Sequence, residues 1–194
     1  MLIEWKYRAI TEFAAKSAWR ATQRNLLVAR TGPTTGAIAA SDGFLLAVVP
    51  VALDEADEEG VVDVSDLDVA LRLSNMRCFG TTNAQKGEIR MTAVALTVGY
   101  VVMPRRQELA TPDYAKLMAR WPQPSSKAID ALQLNMVLLA KVGRLFGDGK
   151  IAHLRIHPLG GTTDGLLLQQ TITDDGAEWL GYKLPWAVLM PVAG

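Results

Sequence analysis

The strongest constraint on the fold is a recurrence. The strings Gly99-Tyr-Val-Val-Met-Pro and Trp186-Ala-Val-Leu-Met-Pro close two stretches of similar length. Each stretch opens on a helical pattern and continues as short apolar runs broken by turn residues. A third stretch of the same order, a helix and then three or four strands, comes before them. The units fall at about residues 5–62, 63–122 and 125–194, so the chain reads as a duplicated supersecondary unit. A helix on an antiparallel sheet, repeated, is an α+β architecture with the helices on one face of the sheets.

In the first unit the periodicity predicts a helix over residues 5–24. Ile10, Phe13, Ala14, Ser17, Ala18 and Ala21 follow the i, i+3, i+4, i+7 spacing of a buried stripe. Arg8, Glu12, Lys16, Arg20 and Arg24 recur every four residues on another face. With Lys6, five basic side chains stand there against one acidic. Strands are expected over 26–30 and 37–53, the second folded back by a turn at Ser41-Asp42-Gly43. The acidic run Asp54, Glu55, Asp57, Glu58, Glu59 and Asp63 lacks the alternating spacing of a calcium loop and reads as a solvated connection.

Ser65 is placed as an N-cap, with Asp66 and Asp68 in the first turn of a helix reaching Asn75. Strands are expected over 77–81, 88–95 and 96–103. Pro104, Pro112, Pro122 and Pro124 then mark a boundary near residue 125, dividing the chain into domains at 1–124 and 125–194. Asn135 is placed as the cap of a last helix, stopped by Gly147, with Leu138, Leu139, Val142 and Leu145 buried and Lys141 and Arg144 exposed. Strands over 152–157, 165–173 and 179–191 complete the chain.

Composition and motifs narrow the function classes. No apolar run approaches the ~18–20 residues of a membrane-spanning helix, and the charged start Met1-Leu-Ile-Glu-Trp-Lys-Tyr-Arg is unlike a signal peptide. A soluble, cytoplasmic protein without a membrane partner is expected. Cys78 is the only cysteine and reads as a buried small residue. His153 and His157 share one face of a strand, but no third zinc ligand accompanies them. The run Gly160-Gly-Thr-Thr-Asp-Gly is a turn and not a phosphate loop, and Asp113-Tyr114 near Lys116 does not amount to an acid/base pair. No catalytic residue, metal or cofactor is expected, and the protein is read as a non-enzyme. Twenty basic and twenty acidic residues cancel, so the placement of charge matters more than its sum. A row of Lys and Arg on a rigid helix suits a phosphate backbone contacted without reading bases.

Three segments together resemble the bacterial DNA polymerase III sliding clamp (β-subunit) family. Ala39-Ala-Ser-Asp-Gly-Phe-Leu-Leu-Ala is similar to the family's Ala-Thr-Asp-Gly-His-Arg-Leu-Ala strand pair. Pro112-Asp-Tyr-Ala-Lys resembles its Pro-Asp-Tyr-Arg connection. Val188-Leu-Met-Pro-Val resembles its C-terminal Val-Val-Met-Pro-Met, preceded by a helix that starts on an Asn, as at Asn135. The resemblance implies a DNA clamp-like fold: one complete domain over 1–124 and half of a second over 125–194, in a reduced or phage-like member of the family. It implies duplex DNA as a partner, held through Arg8, Lys16, Arg20, Arg24, Lys141 and Arg144. It also implies a groove for polymerase-type clamp-binding peptides, lined by Ser41, Gly43, Leu46, Val64, Val188, Met190 and Pro191. Where the family has His-Arg after Asp-Gly, this chain has Phe44-Leu45, which makes the groove's rim more apolar. A homo-oligomer is expected. The alternative is a clamp-fold interaction module that does not encircle DNA. The sheet edge left by the missing half-domain must be paired within the chain, paired by another subunit, or exposed.

Overall fold

The computed structural model describes residues 1–15, 22–75, 88–106, 108–118, 134–147, 154–159, 165–170 and 178–189. A 3-10 helix (Trp5–Phe13) leads into strands β1 (Asn25–Arg30), β2 (Thr35–Ser41), β3 (Leu45–Ala52) and β4 (Gly60–Asp63). Helix α1 (Val64–Asn75) is followed by β5 (Arg90–Met91), β6 (Ala95–Val98) and β7 (Val101–Pro104). After the short α2 (Tyr114–Met118) comes α3 (Met136–Gly147), then β8 (Leu154–Pro158) and β9 (Leu166–Gln170). A small hairpin of β10 (Glu178–Trp179) and β11 (Tyr182–Lys183) precedes β12 (Trp186–Leu189).

All the ladders are antiparallel, and the largest sheet has the order β4-β1-β2-β3-β12-β9-β8. The expected α+β clamp-like architecture is what forms. The last unit completes the sheet begun by the first, because β12 pairs along β3 with Leu46 opposite Val188 and Ala47 opposite Ala187. The second unit forms its own sheet, β5-β6-β7.

The period-2 alternation of a strand divides the large sheet's side chains between two cores. Val28, Ile38, Leu45, Val49, Leu168 and Ala187 face one way, under Tyr7, Ile10 and Phe13 of the 3-10 helix, Leu67 and Leu71 of α1, and Val142 and Leu145 of α3. Ala39, Leu46, Val48, Leu167, Trp186 and Val188 face the other way, under Tyr114 of α2, Leu159, Trp179, Tyr182 and Leu184. Both faces are therefore covered, and this explains why β3 is apolar at nearly every position instead of alternating.

The expected helix over 5–24 is not continuous, and its first part, Trp5–Phe13, is a 3-10 helix. Its large buried side chains, Tyr7, Ile10 and Phe13, are three apart, which matches three residues per turn better than 3.6. At Ala14 the backbone turns extended (φ −76°, ψ 148°), and the Ala15 N–H donates to the Gln23 carbonyl at 2.8 Å. A continuous α-helix would hold those two residues about 12 Å apart along its axis. Lys16, Arg20 and most of the stripe expected beyond Phe13 lie outside the described residues.

Other boundaries shift for local reasons. Asp63, and not Ser65, caps α1: its Oδ1 accepts both the backbone N–H (2.8 Å) and the hydroxyl of Ser65. The strand expected over 96–103 is a hairpin of β6 and β7, with Gly99 at φ +57° in its turn. The strand expected over 179–191 likewise breaks into β10, β11 and β12. The acidic connection is only partly solvated. Asp57 is buried, accepting the terminal ammonium of Met1 and the N–H groups of Asp54 (2.9 Å) and Met91 (3.0 Å). Asn135 caps α3 as expected, its Oδ1 taking the Val137 N–H at 2.9 Å. The strand expected over 77–81, Cys78, His153, Gly160, Gly161 and the boundary near 125 lie outside the described residues. No helix among the described residues is long and apolar enough to cross a membrane.

Candidate functional site

The β2–β3 turn brings one expected DNA-facing residue, Lys141, beside two expected groove residues, Ser41 and Gly43. Ser41 ends β2 buried, and its Oγ accepts the Gly43 N–H at 3.1 Å. Asp42 Oδ1 accepts the N–H groups of Phe44 (3.0 Å) and Leu45 (2.9 Å), and Gly43 takes φ +91°. This is an Asx-type turn, in which a short carboxylate replaces backbone partners that a tight hairpin cannot supply. The other oxygen of Asp42, Oδ2, receives Lys141 Nζ from α3 at 2.7 Å, and both side chains are mostly buried. Lys141, expected among the DNA-facing cations, is thus built into the turn expected to border the peptide groove.

Arg144, one turn further along α3, is committed too. Its Nε (3.0 Å) and Nη2 (2.7 Å) both donate to Glu12 Oε2 of the 3-10 helix. This pair is half exposed, so it contributes little stability, about 0–1 kcal/mol, but it pins α3 beside the 3-10 helix. Arg8 is exposed on the 3-10 helix, and Arg24 is half-buried just before β1. They do not share one continuous helix, because the 3-10 helix that bears Arg8 ends at Phe13.

The expected groove residues separate by face. Leu46 and Val188 are cross-strand partners, and Ser41 is the partner of Leu46 on its other side. Val64, the first residue of α1, packs instead against the opposite, helix-covered core. Met190 and Pro191 lie outside the described residues. Leu46 and Val188 are fully buried under the aromatic side chains of their own chain. Trp186 stacks on Trp179 (centroids 6.1 Å apart) and tilts against Tyr182 (5.3 Å). Tyr114 is buried in the same cluster, and burial pushes its phenol well above the ordinary value. The Tyr114 hydroxyl and the Trp186 indole N–H have no hydrogen-bond partner among the described residues. For Tyr114 and Trp186, buried apolar area is what holds them in this cover.

The accessible part of the site is its rim. Phe44 is exposed at the turn, and Met136 and Val137 are exposed at the start of α3. Val137 lies one helical turn before Lys141, which reaches Asp42 in the turn that bears Phe44. Between α3 and the sheet, Leu45, Leu138, Leu139, Val142, Leu168 and Leu189 line a small apolar recess. Sequence reasoning missed the rim residues of α3 and the aromatic cover. The cover had a signal in the three clustered aromatics Trp179, Tyr182 and Trp186. Among the described residues no three His, Cys, Asp or Glu side chains are placed to hold a metal.

No known protein family and no curated protein matches the chain at the level of sequence. Its fold is that of the bacterial sliding clamps. The β subunit of DNA polymerase III from Thermotoga maritima superposes with a TM-score of 0.61 at 12% identity, over 97% of this chain and 62% of that one. The C. crescentus β sliding clamp gives 0.59 at 15%, over 98% and 63%. The Helicobacter pylori β clamp bound to a DNA ligase peptide gives 0.59 at 8%, over 97% and 62%. The chain therefore spans less than two thirds of the length of these clamps.

Proposed function

We propose that this protein is a reduced, non-catalytic clamp-fold accessory protein of DNA replication, built to tether partner proteins at the β2–β3 turn. The observation that carries the reading is the seam where β3 meets β12, within a clamp-like fold. There the Asp42–Lys141 pair ties the turn to α3, Phe44 is exposed in the turn, Met136 and Val137 are exposed at the start of α3, and an apolar recess lies between α3 and the sheet. A short peptide with two or three apolar side chains suits such a rim, and its affinity would come from a few anchors. The peptide-bound Helicobacter pylori clamp shares this fold. The groove runs along the rim and not over Leu46 and Val188, which the chain's own aromatics cover. Binding of a fluorescent DNA-ligase-type clamp peptide tests this. Phe44→Ala and Val137→Asp should each weaken it at least tenfold, and unchanged binding in both would end the reading.

A second reading, non-specific contact with duplex DNA, rests on Arg8, Arg24, Lys16 and Arg20. The engagement of Lys141 and Arg144 by Asp42 and Glu12 counts against a strong DNA surface on α3. Duplex binding should therefore be weak and should vanish as salt rises. Arg24→Glu combined with Arg20→Glu should abolish it, as measured by fluorescence anisotropy at low salt. Binding that survives this double change would remove these residues from the assignment.

A further inference from the structure

The β10–β11 hairpin stands apart from the sheet it covers. Its ladder is two residue pairs, Glu178 with Lys183 and Trp179 with Tyr182, and it forms a two-stranded sheet of its own. Strand alternation divides its side chains. Glu178 and Lys183 are exposed, whereas Trp179 and Tyr182 turn inward onto Trp186. Leu46, Leu167 and Val188 lie in the same cluster, on the face of the large sheet opposite the helices. Leu46 and Val188 pair across the β3–β12 seam, and the exposed Phe44 stands two residues before Leu46.

Three features leave this cover weakly held. An isolated two-stranded hairpin is marginal in water, and among the described residues no strand of the large sheet ladders with it. Gln169 Nε2 donates to the Lys183 carbonyl at 3.4 Å, longer than the usual distance of about 2.9–3.0 Å. The turn residues Leu180 and Gly181 both take positive φ, +50° and +82°. Glycine accepts that conformation freely, but the Cβ of leucine crowds its own backbone there, and the favoured pair for such a turn is Asn-Gly. Burial does little to offset this strain, since Leu180 is 42% exposed.

We propose that the hairpin is an autoinhibitory stopper: Trp179 and Tyr182 occupy the apolar face of the β3–β12 seam that a partner peptide takes when they are displaced. The inference rests on the peptide-tethering reading and supplies its regulation. The chemistry of the stopper defines that of its competitor. It seats aromatic rings on an aliphatic floor and keeps its charges outside, so the peptide that replaces it carries an aromatic side chain close to an aliphatic one. With the stopper seated, such a peptide has the rim alone. With it displaced, the peptide gains Leu46 and Val188. The strained turn sets the balance, because it raises the energy of the seated hairpin and relaxes when the hairpin opens. Affinity is then reduced in proportion to the fraction of molecules that are closed.

The test is a fluorescence-anisotropy titration of a DNA-ligase-type clamp peptide against the full chain and two hairpin variants. Trp179→Ala, which removes the stacked ring, should tighten binding about threefold to tenfold. Leu180→Asn, which gives the turn its favoured residue, should weaken binding about threefold while keeping or raising the unfolding midpoint. A purely structural cover predicts the reverse for Trp179→Ala, because loosening the core beside a site weakens binding there. Leu180→Asn decides the matter if Trp179→Ala fails to fold. Binding by Trp179→Ala and not by the parent would support the stopper, as the mark of a parent that is almost wholly closed. Affinity indifferent to both variants, or lowered by Trp179→Ala and raised by Leu180→Asn, would overturn the stopper and leave tethering at the rim intact. A peptide bound by neither the parent nor either variant would remove the tethering reading, and the stopper with it.

Discussion

β12 and β7 belong to strings that share the pattern Val-(Val/Leu)-Met-Pro and occupy opposite environments. β12 lies at the centre of the large sheet, paired on both sides, with Trp186, Ala187 and Val188 fully buried. β7 is an edge strand with two exposed valines and an exposed tyrosine beside it. The residues of a strand therefore do not decide whether it is core or surface. That depends on which other strand arrives beside it, and for β12 the arriving strand is β3, from the far end of the chain. A stretch with high β propensity is compatible with either outcome.

Substitutions measure how far the two strands differ. Trp186→Ala should be the most damaging, lowering unfolding stability by about 3–5 kcal/mol in a denaturant titration, because it removes a fully buried aromatic from beneath Trp179 and Tyr182. Tyr100→Ala, in the exposed counterpart, should cost about 0.5 kcal/mol or less. Comparable losses at the two sites would erase the distinction.

The second sheet has its own anchor in Asp57, and acid should act there. Burial opposes ionisation of Asp57, but the hydrogen bonds from Met91, the terminal ammonium and Asp54 outweigh it and hold the carboxyl below the ordinary 3.8. Asp63 is likewise burdened by burial, and Ser65, helped by the charges of Arg106 and Arg24, brings it below 3.8. Carboxyls with depressed folded pKa values stabilise above the unfolded value and cease to do so as pH falls through the folded one. Unfolding stability should therefore decline as pH drops from about 5 towards 2. Asp57→Ala should remove about 3–5 kcal/mol near neutral pH, since it leaves a buried ammonium unpaired. It should also flatten much of the acid dependence, and a variant that keeps the parent's full pH profile would show that other groups govern it.

Two smaller effects bear on the cover and on the β6–β7 turn. Gly99→Ala should cost about 1 kcal/mol, because φ +57° strains any residue with a Cβ although the space around it is open. Tyr114→Phe should leave stability unchanged or raise it by up to about 1 kcal/mol, since the buried hydroxyl it removes has no partner among the described residues. A clear loss on Tyr114→Phe would mean that this hydroxyl is satisfied in solution and that the aromatic cover is held by more than area.

Much of the fold was legible, and the reasons are local. Asn135 with the spacing of Leu138, Leu139, Val142 and Leu145 defines α3, because a side-chain cap and a 3.6-residue stripe are properties of a single segment. Ser41-Asp42-Gly43 defines the β2–β3 hairpin for the same reason, since its hydrogen bonds run within four residues. The first helix misled because small residues at 14, 17, 18 and 21 extend an α pattern on paper. The large buried side chains, Tyr7, Ile10 and Phe13, keep a spacing of three. The candidate site was less legible than the fold. Lys141 and Arg144 look like free cations in a list of residues, yet their partners, Asp42 and Glu12, lie 99 and 132 positions away.

By itself, then, the sequence determined the class of architecture, the turns and caps, and the apolar strings that end its units. It did so because helix periodicity, Asx turns and β propensity act over a few neighbouring residues. Only the tertiary structure decided that β12 would close the sheet opened by β3 while β7 was left at an edge. It alone buried Leu46 and Val188 in one cluster with Trp186, Tyr182 and Tyr114, and it alone paired Lys141 with Asp42 and Arg144 with Glu12. Each of those outcomes depends on groups remote in the chain competing for the same hydrogen bonds, charges and apolar surface, and that competition takes place only when the units pack together.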